Sequence, residues 1–283
     1  MEVVTPLDLE EALIKLQQDP QVEVLAGGTD LLVKWKNNLI DPQRAMNILK
    51  LTELKFIREE KGQLIIGPLM THQELTEADL VRKNAPILAA ACAQVGSLQI
   101  RNRGTLGGNL VTASPAGDTI PALVVANASL TLRSAQAERI VSIRDFFKGP
   151  GKTVLQPGEL LTAITVPCRT SDETYFYRKL GQRQAMAISI VSVACKAKLV
   201  NQVIKDIQIA CGSVGPTVLE LTQTARNLTG CGLQDKKILA LAANAGSETN
   251  PISDIRAAKE YRRDMVGALL YEGLQKLQGS QRV

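Results

Sequence analysis

The amino-acid sequence predicts an α+β protein. Strand-like β-branched runs and segments with apolar residues at helical spacing are mixed in both halves. They lack the steady strand–helix–strand rhythm of a doubly wound parallel sheet. Two glycine-rich loops occur, yet neither spells G-x-G-x-x-G, which sets aside a Rossmann domain. The polar run Arg169-Thr170-Ser171-Asp172-Glu173 marks a boundary between two domains. With 283 residues and 45% apolar content, each side of it has material for its own core.

Taken in order, residues 7–18 have helical spacing with acids in the first turns, and 22–25 form a strand. The first glycine turn follows at 26–30, then a helix over 31–36 carrying Trp35, read as a core residue, and a strand over 45–48. Lys61-Gly62-Gln63 makes a hairpin turn ahead of a strand at 64–67, and Thr71 suits the cap of the next helix. The alanine-rich run 86–95 reads as a buried helix that leads into the second glycine loop. Strands are expected over 122–132, 139–143 and 160–166, the last ended by Pro167, with a turn at 146–152. The second half predicts strands at 175–179, 187–200 and 205–211, then helices over 217–228, 235–245 and 257–277.

Composition removes several classes of function. The net charge of +5 is mild and its cations are interleaved with acids, as in Arg58-Glu59-Glu60-Lys61. Aromatics make up only 3%, so neither a basic stripe nor base-stacking platforms point to nucleic acid. No window reaches the roughly 20 apolar residues of a membrane helix, and the N-terminal segment has no signal-peptide pattern. The five cysteines (Cys92, Cys168, Cys195, Cys211, Cys231) are scattered without a C-x-x-C pair. That spacing gives no zinc or iron–sulfur motif, and suits reduced, buried thiols in a cytoplasmic protein. The Gly-Lys-Thr at 151–153 is not a P-loop, because the required earlier glycine falls on Phe146.

The informative stretch runs from Arg101 to Asp118. It holds Gly104, Thr105, Leu106, Gly107, Gly108 and Asn109, then Thr112, Ser114 and Asp118. A loop of this kind lets bare backbone approach a ligand and turns N–H groups toward one point, which suits a phosphate. Asp118 adds an acceptor for a sugar hydroxyl or ring N–H. Earlier, Val24-Leu25-Ala26-Gly27-Gly28-Thr29-Asp30-Leu31 joins a strand to a helix start, a geometry that either grips a phosphate or merely turns and caps the chain. Two such loops together favour a diphosphate held from both sides.

These residues resemble a known family. The pair Ala26-Gly27-Gly28-Thr29-Asp30 and Thr105-Leu106-Gly107-Gly108-Asn109, followed by Ala113-Ser114-Pro115-Ala116-Gly117-Asp118, is similar to the FAD-binding subunit of molybdenum hydroxylases, among them xanthine dehydrogenase and the carbon monoxide dehydrogenase medium subunit. Gly149-Pro150-Gly151-Lys152, Leu155-Gln156-Pro157-Gly158-Glu159-Leu160-Leu161, the 211–217 stretch and the 255–262 stretch match in the same order, covering nearly the whole chain. The resemblance implies a two-lobed FAD-binding domain over 1–170, with a small lobe over about 1–55 and a larger one over 56–170. A smaller C-terminal α+β domain, a short antiparallel sheet with helices, then spans 175–283. It implies FAD as cofactor, held by Val24 through Leu31, Thr105 through Asn109, Ser114 and Asp118, with Leu161 and Lys179 lining the site. Backbone N–H groups of Gly27, Gly28, Gly107 and Gly108 are the expected diphosphate donors.

The implied partners are an iron–sulfur subunit, a molybdopterin subunit and an electron acceptor such as NAD, oxygen or a quinone. A stand-alone flavin reductase on the same fold, or a non-enzymatic nucleotide-binding protein, are the competing readings. Three residue types stay open. His72, the only histidine, is a general base or a surface or capping residue. Arg101 and Arg103 neutralise phosphate, face a partner or are ordinary surface; Tyr175 and Tyr177 flank the flavin or do not.

Overall fold

Three larger sheets and a two-stranded hairpin organise the chain in a computed structural model that describes residues 1–183 and 187–279. The first is small and parallel. Glu2–Val4 and Glu23–Leu25 flank Arg44–Asn47, linked by the helices Leu9–Gln18 and Leu31–Lys36. This βαβαβ unit departs from the expected absence of such a rhythm; its first strand is three residues long and too short to register as periodicity. Asp8 caps the first helix by accepting from the Glu11 N–H at 2.8 Å. Leu9, Ala12, Leu13 and Leu16 recur at helical spacing and bury against Met46, Ile48 and Leu69. The second helix buries nothing: Trp35 is 38% exposed, contrary to its reading as core.

The second sheet is antiparallel and five-stranded, in the order Ile57–Glu60, Gln63–Ile66, Leu160–Pro167, Ser129–Arg133, Glu138–Ser142. Its first hairpin turns on Lys61 and Gly62, at φ +48° and +73°, the two positive angles that match the twist of paired strands. Helices pack on it, including the apolar Pro86–Ala93 that the sequence predicts. The expected strand over 122–132 is instead the helix Thr119–Val125 followed by the strand Ser129–Arg133, broken at Asn127 with φ +56°. Residues 122–126 are apolar without a break, and such a run carries no period with which to tell a buried helix from a buried strand. The expected turn at 146–152 contains a tiny hairpin, Phe147–Gly149 with Lys152–Thr153.

The third sheet, also antiparallel, pairs Glu173–Leu180, Val191–Val200, Val203–Gly212 and Leu219–Glu220. The expected strand over 187–200 starts at Val191; positions 184–186 before it lie outside the described residues. The helix expected from 217 begins at Thr222, after that last short strand. Lys259–Gly279 crosses the sheet, and Gly273 lets it do so: a Cβ there would sit 2.3 Å from the Phe176 ring. Buried Arg262 ties this helix to the loops below, donating to the Ile190 and Ser213 carbonyls and to Asp254. The second and third sheets share a core, since Tyr177, Ala194 and Ala210 pack with Leu123 and Val125.

Candidate cofactor site

The two glycine loops meet. A Cβ on Gly27 would lie 1.9 Å from the Arg103 carbonyl oxygen, so only glycine allows this contact of one backbone with another. Gly28 takes φ +74°, which turns the chain out of the strand and into the next helix. Between the loops opens a cleft of about 540 Å³, within the size range of sites for small molecules and cofactors. All three sheets contribute to its walls or to the network beneath it.

Every residue proposed from the sequence lines this cleft except Leu25, Gly27, Leu106 and Lys179. Leu106 is fully buried, whereas Gly27 acts from behind through its contact with Arg103. The walls also include Gly151, Leu155, Glu159 and Leu160, which the sequence marks only as part of a family stretch, and His72, Ile100 and Ile188. Spacing gave no sign of these last three, because the fold alone brings them to the loops. Tyr175 and Tyr177 do not line the cleft, nor do Arg101 and Arg103. Arg101 is tethered to Gln73 and the Val95 carbonyl.

The donors divide unequally between the loops. In the second loop the Leu106 N–H donates to Met70 O, Gly107 to Pro68 O, Gly108 to the Thr105 hydroxyl and Asn109 to Thr105 O, all within 2.9–3.1 Å. Gly107 and Gly108 therefore do not offer the free N–H groups the sequence suggests; their amides hold the loop in shape. In the first loop, the amides of Gly27, Gly28 and Thr29 have no acceptor among the described residues. Anion binding through backbone falls to this loop. Gly108 serves by lacking a side chain: a Cβ there meets only the Thr105 hydroxyl, at 2.9 Å, and projects into the cleft.

Beneath the cleft lies a buried polar network that joins the domains. Asp118 accepts from Lys179 Nζ at 2.7 Å, from the Tyr177 hydroxyl at 3.3 Å and from Ser189 through a short bond. Lys179 also donates to the Gln94 carbonyl at 2.8 Å. Burial raises the Asp118 carboxyl above its usual range, while Lys179, Ser189 and Tyr177 draw it back down. Asp118 faces the cleft, and Lys179 stands behind it as its counter-ion.

His72 is buried, not a surface residue; the cap of its helix is Thr71, which forms a capping box with Glu74. Burial, with the Arg101 charge nearby, pushes its imidazole down to about 4, so it is neutral near pH 7. Because the unfolded chain protonates near 6.5 and the folded chain only near 4, falling pH across that window favours unfolding. The shift corresponds to about 3 kcal/mol at 1.36 kcal/mol per pH unit. Urea unfolding of the flavin-free chain should show this slope between pH 6.5 and 4, and His72→Gln should flatten it. Equal slopes in the two proteins would refute the assignment.

The residues fit a flavin dinucleotide on three counts. There is a row of unused amides for a diphosphate, a side-chain-free floor at Gly108, and a cleft long enough to run from the small lobe to Leu161 and Ile188. Fold and site thus define a two-domain flavoprotein of the α+β type. Comparison with known proteins agrees. Residues 1–169 match the model for the FAD binding domain in molybdopterin dehydrogenase. Residues 175–277 match the CO dehydrogenase flavoprotein C-terminal domain. The chain is 33% identical over 269 residues to the glyceraldehyde dehydrogenase medium chain of Sulfolobus acidocaldarius, covering 95% of each. It is 31% identical to the carbon monoxide dehydrogenase medium chain of Afipia carboxidovorans, over 93% of this chain and 91% of that one. Among solved structures, a chain of the Cu,Mo-CO dehydrogenase superposes with a TM-score of 0.93 at 27% identity, covering 99% and 98% of the two chains. The chain belongs to the family of FAD-binding subunits of molybdopterin dehydrogenases.

Proposed function

We propose that this chain is the electron-transferring flavin subunit of a molybdenum hydroxylase complex. It receives electrons from an iron–sulfur subunit, which takes them from a molybdopterin subunit, and passes them to an acceptor such as NAD, oxygen or a quinone. The observation that carries the reading is the paired-glycine-loop cleft in a chain whose two halves match flavoprotein families in succession. Relatives named as medium chains or FAD subunits support a role within a larger assembly. FAD, when bound, supplies a carrier able to take electrons singly and give them up in pairs.

This chain's own contribution is to hold and shield. The first-loop amides and Thr29 bind the diphosphate, Gly108 leaves room for it, and Leu161, Leu155 and Ile188 give an apolar wall that keeps water from the ring system. Asp118, fixed by Lys179 and Ser189, presents an acceptor oriented before the cofactor arrives. The proposal includes a division of the chain into 1–170 and 175–283 and a cytoplasmic location, which the unpaired thiols favour. No described helix is long and apolar enough to cross a membrane.

The test is an absorption spectrum of the purified chain after incubation with FAD and desalting, with denaturation and chromatography to identify what is released. Stoichiometric FAD, followed by co-purification of an iron–sulfur subunit able to reduce it, is the expected result. A flavin-loaded chain that reduces a substrate without any partner would favour the stand-alone reductase. A colourless chain in excess FAD, alone and with partners, would defeat both.

A further inference from the structure

His72 is a polar side chain that the fold leaves unused. Its main-chain N–H is spent on the Gly104 carbonyl at 3.0 Å, which pins the residue to the second glycine loop. His72 is 2% exposed, lines the cleft, and its Nδ1 is buried without a hydrogen-bond partner among the described residues. Buried side-chain polar atoms in folded proteins almost always find partners, and an orphan costs stability. Nδ1 itself has no accessible surface for a ligand to meet, but Nε2, on the Cδ2 edge of the same ring, is not closed off in this way and has no partner among the described residues, which leaves it to a group of a ligand in the cleft.

Its surroundings say which part of the ligand that is. The position a Cβ would take on Gly104 lies 3.2 Å from His72 Cδ2 and 3.3 Å from Thr29 Oγ1. The ring and the Thr29 hydroxyl therefore flank one spot, next to the unused amides of Gly27, Gly28 and Thr29. The charged residues on the cleft wall are Glu23, Asp30, Asp118, Glu159 and Lys34, and Lys34 is held by Asp30 at 2.7 Å. An anion entering such an acid-rich cleft depends on neutral donors. His72 is one, and nearby Arg101 adds positive potential from outside the wall.

We propose that His72 is a diphosphate ligand of the cofactor, donating its Nε2–H, on the ring edge that faces Gly104 and Thr29, beside the first-loop amides. The inference rests on the FAD reading above but concerns a separate residue. His72 would then be to the second loop what the free amides are to the first, so that the diphosphate is clasped by a side chain on one side and backbone on the other.

The chain's single histidine makes the test direct. In the untagged full-length protein only one imidazole appears in a nitrogen-15 spectrum. ADP or inorganic pyrophosphate should shift its ring signals saturably, whereas lumiflavin, which has no phosphate, should leave them in place. His72→Leu should weaken FAD and ADP by roughly tenfold to a hundredfold, the range of one charge-assisted hydrogen bond, with lumiflavin affinity unchanged. His72→Gln, which keeps a donor, should recover part of the loss. Ring signals unmoved by millimolar ADP and pyrophosphate, or an equal loss for lumiflavin, would overturn the proposal. Flavin retained in the same preparation would show that the FAD reading survives such a failure.

Discussion

Gly27→Ala should separate the two glycine loops and leave the protein without flavin. The added methyl would lie 1.9 Å from the Arg103 oxygen and 2.7 Å from its carbon, and both obstacles are backbone. Neither can rotate away, so one loop must retreat by more than an ångström and take its donors with it. Overpacking of this kind costs about 1–3 kcal/mol in folding, with larger values where backbone must move. The loss in FAD affinity should exceed a hundredfold, because the first-loop amides, the free backbone donors of the site, would be displaced from the cleft. Gly108→Asp gives the informative contrast. Its Cβ meets only a hydroxyl, so the fold should survive with about 1 kcal/mol lost at the Thr105 cap, while the carboxylate enters the cleft against a dianionic ligand. Flavin content and urea midpoints, measured together, check both. A flavin-replete Gly27→Ala protein of normal stability would show that the loops do not need their contact.

Lys179→Met should be the most damaging single change to the fold. Lys179 and Asp118 side chains are each 8% exposed, and removing one member of such a pair strands the other charge. Comparable deletions cost about 3–5 kcal/mol. Asp118 keeps Tyr177 and Ser189 as donors, and its carboxyl already tends toward the protonated form through burial. Lower pH should therefore narrow the deficit, since a proton takes over from the lost ammonium. Denaturant unfolding at pH 7 and pH 5 tests this directly, and Asp118→Asn combined with Lys179→Met should recover much of the loss. A deficit that does not change with pH would mean that Lys179 acts through packing alone.

Much of the site was legible because it is written in local terms. The glycines of 26–30 and 104–108, the Thr71 cap and the Lys61-Gly62 turn are short-range features, and the structure places each at a turn, cap or loop contact. What local pattern could not give was which partners those groups meet. Gly107 and Gly108 look like anion donors in sequence, but Pro68 and Thr105 take their hydrogens. His72 gave no sign of burial, because the chain segments that cover it are brought there only by tertiary packing. Trp35 read as core on its residue type, yet its six-residue helix lies on the outside of a three-stranded sheet and buries nothing. The 122–132 run failed for the opposite reason: residues 122–126 are all apolar and buried, so no face there distinguishes helix from strand.

The Asp118 network also limits how this chain can be recombined. Its carboxylate belongs to the N-terminal half, while its ammonium, phenol and hydroxyl come from Lys179, Tyr177 and Ser189 beyond the boundary run. Chimeras that join residues 1–170 of this protein to the second half of a relative will inherit the carboxylate without its matched donors unless those three positions travel with it. The inheritable module is thus defined by a shared charge balance and not by the linker, and a graft designed on sequence boundaries alone would be cut through its most tightly coupled point.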